Sequence, residues 1–321
     1  MSILVIRLGA MGDILHALPA AASLKLSFPD QKLHWLVARK WMPLLEGNPY
    51  INEIISFDRQ SLTALGTCWQ RLRELRPRFA VDFQGLVQSA IAGRISRPDV
   101  FFGFDKSVAR EPLASVLYTR HVPVKGPHRI ERNLQLAAAT GAHVQSQETW
   151  VPAGRQEGEL PAKPFVLTSP FAGWASKQWP IESYGALAEL LSKEGLELVV
   201  NVPEQQAKRI PRVSRLRTHV SGLPGLIDAT RRATAVIGVD SGPLHLAAAL
   251  GKSGVALFGP TDPAQTGPYK SNMVVLRARD VSTTYKRHDR IHTSMAEITA
   301  TQVKDALLQS LARRAPAVQS L

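Results

Sequence analysis

The sequence predicts an α/β protein built from two Rossmann-like domains, each a parallel sheet wrapped by helices. Short apolar runs alternate with amphipathic helical patterns, and this alternation stops once near the middle of the chain and then restarts. The 321 residues also exceed one ordinary domain length of about 100 to 200. With 45% hydrophobic and 20% charged residues, the chain is neither disordered nor collagenous.

The first apolar run, residues 3–6, ends in a turn holding Gly9 and Gly12. Ile14, Leu15, Leu18, Ala21, Ala22 and Leu26 then recur at helical spacing. Apolar stretches follow at residues 34–38 and 54–57, then a helical pattern over 62–75, a strand over 79–83 and a helix after Gly85. Residues 145–163, QSQETWVPAGRQEGELPAK, lose all periodicity and read as a linker dividing residues 1–150 from 151–321. Beyond it come strands over 165–169, 196–201, 235–240 and 255–258, with helices over 181–193 and 243–250. The last helical pattern, 303–311, has a candidate place folded back over the first domain. Ligands of such sheets bind outside the carboxyl ends of the strands, which directs attention to the loops after Ile6, Ser169, Asn201 and Asp240.

A single cysteine, Cys68, forbids an internal disulfide, excludes thiolate zinc clusters and suits a reducing compartment. The start MSILVIRLG is too short an apolar segment for a signal peptide, and no run of about 18 apolar residues occurs, so a cytoplasmic location is expected. The formal charge of +13 is spread along the chain, with 19 bases against 14 acids up to residue 160 and 20 against 12 beyond it. That excess predicts a polyanionic partner, either nucleic acid or a phosphorylated lipid at a membrane surface. No zinc-finger spacing, aromatic RNA-binding strand or repeat accompanies it, so nucleic acid is not the expected partner. Two basic clusters, Arg71, Arg73, Arg76 and Arg78, then Lys208, Arg209, Arg212, Arg215 and Arg217, read as solvated helix faces.

Four segments carry chemistry. In RLGAMGDILHALPA, Asp13 stands at a helix start, where it either caps the helix or serves as a carboxylate able to take a proton from a sugar hydroxyl. His16, one turn along, reads as packing. In AVIGVDSGPLHLAAALG a buried strand delivers Asp240, Ser241 and Gly242 to a helix whose Pro243 suits the first position. The amides and dipole of that helix end suit a diphosphate, and Asp240 can accept from sugar hydroxyls or cap. In SPFAGWASKQWP, Lys177 lies in a loop between Trp174 and Trp179, either a surface lysine or a phosphate ligand. In NVPEQQAKR, Glu204 follows a strand, where it either binds ribose hydroxyls or favours a helix start. No D-x-D pair is present and the nine histidines form no zinc motif, so no metal and no cofactor are expected.

The segments MGDILHALPA, VDFQGLVQSA, AREPLASVLYTR, KQWP, VDSGPLHLAAALGK and FGPTDP, taken together and in this order, resemble glycosyltransferase family 9, the lipopolysaccharide heptosyltransferases, and most closely its heptosyltransferase I branch. The resemblance implies a GT-B fold, with an acceptor-binding first domain and a nucleotide-sugar-binding second domain facing across a cleft. It implies inverting, metal-independent transfer of L-glycero-D-manno-heptose from ADP-heptose to Kdo of lipid A, by an enzyme peripherally associated with the inner membrane. By motif, Asp13 matches the base and Lys177 a phosphate ligand that assists catalysis. Gly12, Glu204, Asp240, Ser241, Gly242 and His245 match donor-binding positions, and Arg120 resembles a basic position on the acceptor side, with Arg59 as a second candidate. The sequence departs from the family in LGAMGD, in Ser241 and in Pro243, which bear on donor and acceptor preference. Other readings are another family 9 transferase with a different donor or acceptor, a sugar-nucleotide epimerase or hydrolase on the same scaffold, and a non-enzymatic module that binds anionic glycolipid or nucleic acid.

Overall fold

The structure is a computed structural model that describes residues 1–144, 149–210, 215–279 and 281–314. Residues 145–148 of the expected linker, and Arg212 of the second basic cluster, lie outside the described residues. The chain divides into two compact units, Met1–Pro152 and Ala153–Leu321.

The first unit runs β1 (Ser2–Ile6), α1 (Met11–Ser27), β2 (Lys32–Ala38), β3 (Glu53–Phe57), α2 (Leu62–Leu75), β4 (Phe79–Asp82), α3 (Val87–Ile95), β5 (Val100–Phe104), β6 (Arg120–Val122) and α4 (Arg129–Ala138). All its strand pairs are parallel, in the order β3-β2-β1-β4-β5-β6. Strands buried on both faces read as unbroken apolar runs, which is why β1 continues as ILVI after Ser2 and not as an alternation. On one face Leu4, Ile6, Leu36, Ala80 and Phe101 pack against Cys68 and Leu72 of α2, Ala90 and Ala92 of α3, and Ala114 of the 3-10 helix Pro112–Leu117. Helices α1 and α4 pack against each other elsewhere in the unit.

The second unit runs β7 (Phe165–Ser169), α5 (Ile181–Lys193), β8 (Glu197–Val202), β9 (Leu216–Val220), α6 (Leu223–Arg232), β10 (Ala235–Val239), α7 (Gly242–Ala249), β11 (Gly254–Phe258), α8 (Pro263–Thr266), β12 (Val274–Arg277), α9 (Thr293–Ala296) and α10 (Ala300–Arg314). Its sheet, also parallel, has the order β12-β11-β10-β7-β8-β9. Counted within each unit, both sheets follow one order, 3-2-1-4-5-6, with the reversal of direction between first and fourth strands. Its core gathers Trp179, Tyr184, Leu187, Ile237 and Leu257, and the Trp179 indole donates to the Ile298 carbonyl at 2.8 Å.

The place of the last helix within its own unit can be stated, and one expectation about the basic residues is corrected. Helix α10 is held by the second unit: it packs on α5, β11 and β12, puts Val303 and Leu307 into that core, and its Ser310 Oγ accepts from the Gly254 amide at 2.8 Å. The basic cluster after residue 207 is not one helix face. Lys208 and Arg209 end the 3-10 helix Glu204–Arg209, whereas Arg217 belongs to the edge strand β9 and Arg215 precedes it. The earlier cluster is on a helix only in part, with Arg71 and Arg73 on α2, Arg76 its left-handed C-cap and Arg78 beyond. Among the described residues no helix is long and apolar enough to cross a membrane.

One glycine couples packing to the site described below. A Cβ on Gly103 of β5 would lie 2.2 to 2.4 Å from the Tyr118 ring, whose hydroxyl donates to Asp82 at 2.8 Å. Gly103→Ala is therefore expected to displace Tyr118 and to cost about 1 to 3 kcal/mol through overpacking. Urea unfolding checks this; an unchanged midpoint would show that the ring moves aside freely.

Candidate functional sites at the two strand-order reversals

The loops at the carboxyl ends of β1 and β4 flank the reversal in the first unit. Asp13 is the third residue of α1, not its N-cap; Ala10 takes the cap position, and Asp13 reaches back to accept from the Ala10 amide at 3.3 Å. Alanine has no side-chain acceptor, so only this half of a capping box exists. The carboxylate is mainly engaged elsewhere. Arg7, just past the end of β1, meets Oδ2 at 2.5 Å, and Arg129, the first residue of α4, meets Oδ1 at 2.5 Å. Burial by itself raises a carboxyl, but the charges of Arg7, Arg129 and His16 outweigh it and hold Asp13 well below the usual carboxylate range. The two arginines differ: the Arg7 side chain is buried and also donates to the Phe83 carbonyl, whereas that of Arg129 is 38% exposed.

Asp82, at the end of β4, is fully buried. It accepts from the Gln84 amide at 2.7 Å, Ser89 Oγ at 2.7 Å and the Tyr118 hydroxyl at 2.8 Å. Burial pushes its carboxyl up and these bonds oppose the rise. This network accounts for the VDFQGLVQSA segment: its polar residues brace the turn after β4. Gly12 is buried as the second residue of α1, and His16 is buried with its ring edge-on to His128 at 5.6 Å. Arg59 is exposed and bonds Gln88 at 3.2 Å, and Arg120 is exposed on the edge strand β6. Among the described residues neither one bonds Asp13, so these two acceptor-side candidates are not brought into the carboxylate cluster.

The reversal in the second unit lies between β7 and β10. Asp240 follows β10 and is buried; Ser241, not Asp240, is the N-cap of α7, which leaves Asp240 free of that role. Lys177 Nζ lies 2.6 Å from Asp240 Oδ2, Thr261 Oγ1 donates to the same oxygen at 2.8 Å, Thr266 Oγ1 donates to Oδ1 at 3.2 Å, and His245 Nε2 lies 3.4 Å from Oδ1. Burial raises this carboxyl too, but the His245 bond and the Lys177 charge prevail and hold it far below the usual range. Lys177 closes the short 3-10 helix Ala175–Lys177 with its ammonium 4.3 Å above the Trp174 ring, a cation–π contact. Pro243 is the second residue of α7 rather than the first, so the amides left over from the helical ladder in that turn are those of Gly242 and Leu244. Ser241 makes no capping bond, and its Oγ is buried without a partner among the described residues. Glu204 opens the 3-10 helix after β8 and is exposed, with no bond from its carboxylate among the described residues. Among the described residues no group of three His, Cys, Asp or Glu gathers as metal ligands.

The partners that sequence reading passed over are Arg7, Arg129, Asp82, Thr261 and Thr266. Arg7 was signalled by a charge closing an apolar strand, and Thr261 by its place in FGPTDP. Nothing local marks Arg129, whose contact with Asp13 spans 116 residues.

The model of glycosyltransferase family 9 (heptosyltransferase) matches residues 66–294. The chain belongs to this family. Lipopolysaccharide heptosyltransferase 1 of Pseudomonas aeruginosa is 30% identical over 299 residues, covering 86% of this chain and 83% of that protein. The protein of the same name from Escherichia coli K12 is 28% identical, covering 87% and 94%. Among solved structures, E. coli heptosyltransferase WaaC with ADP superposes with a TM-score of 0.74 at 25% identity, over 98% of this chain and 99% of that one. E. coli ADP-heptose lps heptosyltransferase II shares the fold with a TM-score of 0.79 at 23% identity, over 98% and 99%. The family 9 chain is thus an enzyme of the heptosyltransferase class, with the two α/β units of a GT-B fold.

Depressed carboxyls give stability that is complete above the unfolded Asp value of about 3.9 and is lost only as pH falls toward the folded value. Thr261→Val removes a donor from the ionised Asp240 and is expected to cost about 1.5 to 3 kcal/mol. The gap in urea midpoint should stay constant between pH 8 and pH 5, because Asp240 is ionised throughout; a gap that closed by pH 5 would contradict the assignment.

Proposed function

We propose that this enzyme transfers L-glycero-D-manno-heptose from ADP-heptose to Kdo of lipid A in lipopolysaccharide core synthesis, with inversion and without a metal ion. In this reading the second unit binds the donor and the first the acceptor, at the cytoplasmic face of the inner membrane with which the protein is peripherally associated. The observation that carries it is the cluster around Asp240. A buried strand end, an ammonium and the free amides of a helix start stand together, as a departing diphosphate requires.

An acceptor hydroxyl oxygen bonds to the anomeric carbon of heptose as the bond from that carbon to the diphosphate breaks. The hydroxyl proton passes to Asp13 and the leaving ADP takes the electron pair. Lys177, Ser241 and the amides of Gly242 and Leu244 are assigned to the diphosphate, Glu204 to the ribose, and Asp240 and His245 to heptose hydroxyls. Gly12 is assigned to the donor, and Arg59 and Arg120 to the acceptor. A carboxylate between two arginines is a weak proton acceptor. Arg129, the accessible one, is the group that the Kdo carboxylate can draw away, and its departure strengthens Asp13 as a base.

The decisive experiment incubates the enzyme with ADP-heptose and Kdo-lipid A in EDTA and follows ADP release with product stereochemistry. Absence of product, or product only after divalent metal is restored, would refute the metal-free transfer, and ADP release equal with and without acceptor would favour hydrolysis. For Arg129→Gln the loss of a lowering charge raises the Asp13 carboxyl, so the acid limb of kcat/KM should move to higher pH, with a raised acceptor KM; an unmoved limb would exclude Asp13 as the base. Asp13→Asn should lower kcat by at least ~100-fold, the scale of a general base. It also strips Arg7 of its carboxylate, so activity must be compared at temperatures where circular dichroism shows the variant folded. Lys177→Met carries the same double burden, since it leaves Asp240 without its ammonium at an expected cost of about 3 to 5 kcal/mol. Weaker ADP binding by a folded Lys177→Met protein supports the phosphate role, and unchanged binding contradicts it.

A further inference from the structure

The 3-10 helix Pro112–Leu117 carries two apolar side chains that the core does not use. Leu113 is 73% exposed and Val116 78% exposed, while Ala114 between them is buried. The three-residue turn of a 3-10 helix brings positions 113 and 116 to one side. Helix α3 packs alongside this segment, and its exposed positions include Ile91 and Arg94. Single exposed apolar residues are ordinary, but a bulky pair on one side of a short helix, with another exposed apolar residue on the helix packed alongside, marks a surface meant to be covered.

The rim identifies what covers it. Arg94, Arg110 and Arg120 are exposed, and among the described residues no acid pairs with any of them. Glu111, the acid inside the segment, turns its carboxylate to the Val87 amide at 2.7 Å. A folded protein partner would have to place an acid opposite each arginine at fixed positions. Anionic lipids diffuse to the cations, while short apolar side chains enter the headgroup boundary.

We propose that segment 110–120, with the outer side of α3, docks on an anionic membrane surface. The inference rests on the reading that the acceptor is a lipid, and it names the face that meets the bilayer. The segment adjoins the site of the first unit: the Glu111 amide donates to the Gly85 carbonyl at 2.9 Å, and Gly85 lies in the turn that Asp82 braces at the end of β4. Docking there holds the carboxyl edge of the first sheet, with Asp13, at the level where a membrane-anchored sugar stands.

The test is co-sedimentation of the full chain with vesicles of phosphatidylglycerol and phosphatidylethanolamine, against vesicles of phosphatidylcholine. The wild type should bind the anionic vesicles and lose binding as salt rises. Leu113→Ser with Val116→Ser should weaken partitioning on the order of tenfold for each side chain, with an unchanged melting temperature. Arg94→Gln should weaken binding to anionic vesicles, whereas Val275→Ser, an exposed apolar site of the second unit, should not. Equal binding by the double variant and the wild type, no binding by the wild type, or equal binding to neutral vesicles would each overturn the proposal. Loss by the double variant of a dimer seen in sedimentation velocity, without vesicle binding, would assign the patch to a second copy and overturn it as well. Transfer to a deacylated, water-soluble acceptor separates the two readings. Its absence in the wild type counts against the proposed function alone. Its retention by the double variant, together with reduced transfer to acceptor in vesicles, supports the docking face.

Discussion

A carboxylate that ends a buried parallel strand is removed from water at a point where the backbone has just run out of ladder partners, and it stays ionised only if cations or hydroxyls are delivered to it. Both units place such a group where the strand order reverses. The helices after the two central strands leave there in opposite directions, so the loops part and the carboxyl edge is open to incoming side chains. In the first unit this is Asp82 at the end of β4, reached by the hydroxyls of Ser89 and Tyr118, while Asp13 in the first turn of α1 is met by Arg7 and by Arg129 from α4; in the second it is Asp240, reached by Thr261 from the loop after β11. Much of the surrounding sequence exists to meet this electrostatic demand.

The two clusters meet it differently. Asp13 is held by two guanidinium charges, so the carboxylate and its two arginines together carry one net positive charge, suited to an anionic ligand. Asp240 is held by one ammonium, by two threonine hydroxyls and by the His245 ring, and the start of α7 adds the attraction of its dipole for phosphate. Lys177 already sits on Asp240. A diphosphate that engages it must share the ammonium or take it over, and the hydroxyls of Thr261 and Thr266 are what keeps Asp240 solvated in either case.

The sequence showed the parts of the fold whose pattern is local. The apolar runs of β1, β4, β7, β8, β10 and β11 and the periodicity of α1, α2 and α5 are legible because each buries its own stripe. Edge strand β9 is half exposed and charged, so LRTHV reads as surface; β6 is three residues long and carries no pattern at all. The position of α10 depends on which sheet has an uncovered face, which periodicity does not encode. Asp13, Lys177 and Asp240 could be singled out because residue type, turn and helix start coincide in a few positions. Their pairings could not, since 116 residues separate Arg129 from Asp13 and 63 separate Lys177 from Asp240.

The positive charge of the chain takes on a more definite meaning once its members are sorted by what holds them. Arg7, Arg71, Arg129 and Lys177 are committed to internal acids and contribute little to attraction at a distance. Arg94, Arg110 and Arg120 have no such partner among the described residues, and they stand beside apolar side chains on one unit. Screening in a salt solution confines their field to about 8 to 10 Å, so they act on a surface nearly in contact and not on a distant solute. A net charge alone leaves nucleic acid and anionic lipid equally eligible. The combination of unpaired arginines with exposed leucine, valine and isoleucine separates them, because a nucleic acid offers no apolar phase in which those side chains can leave water.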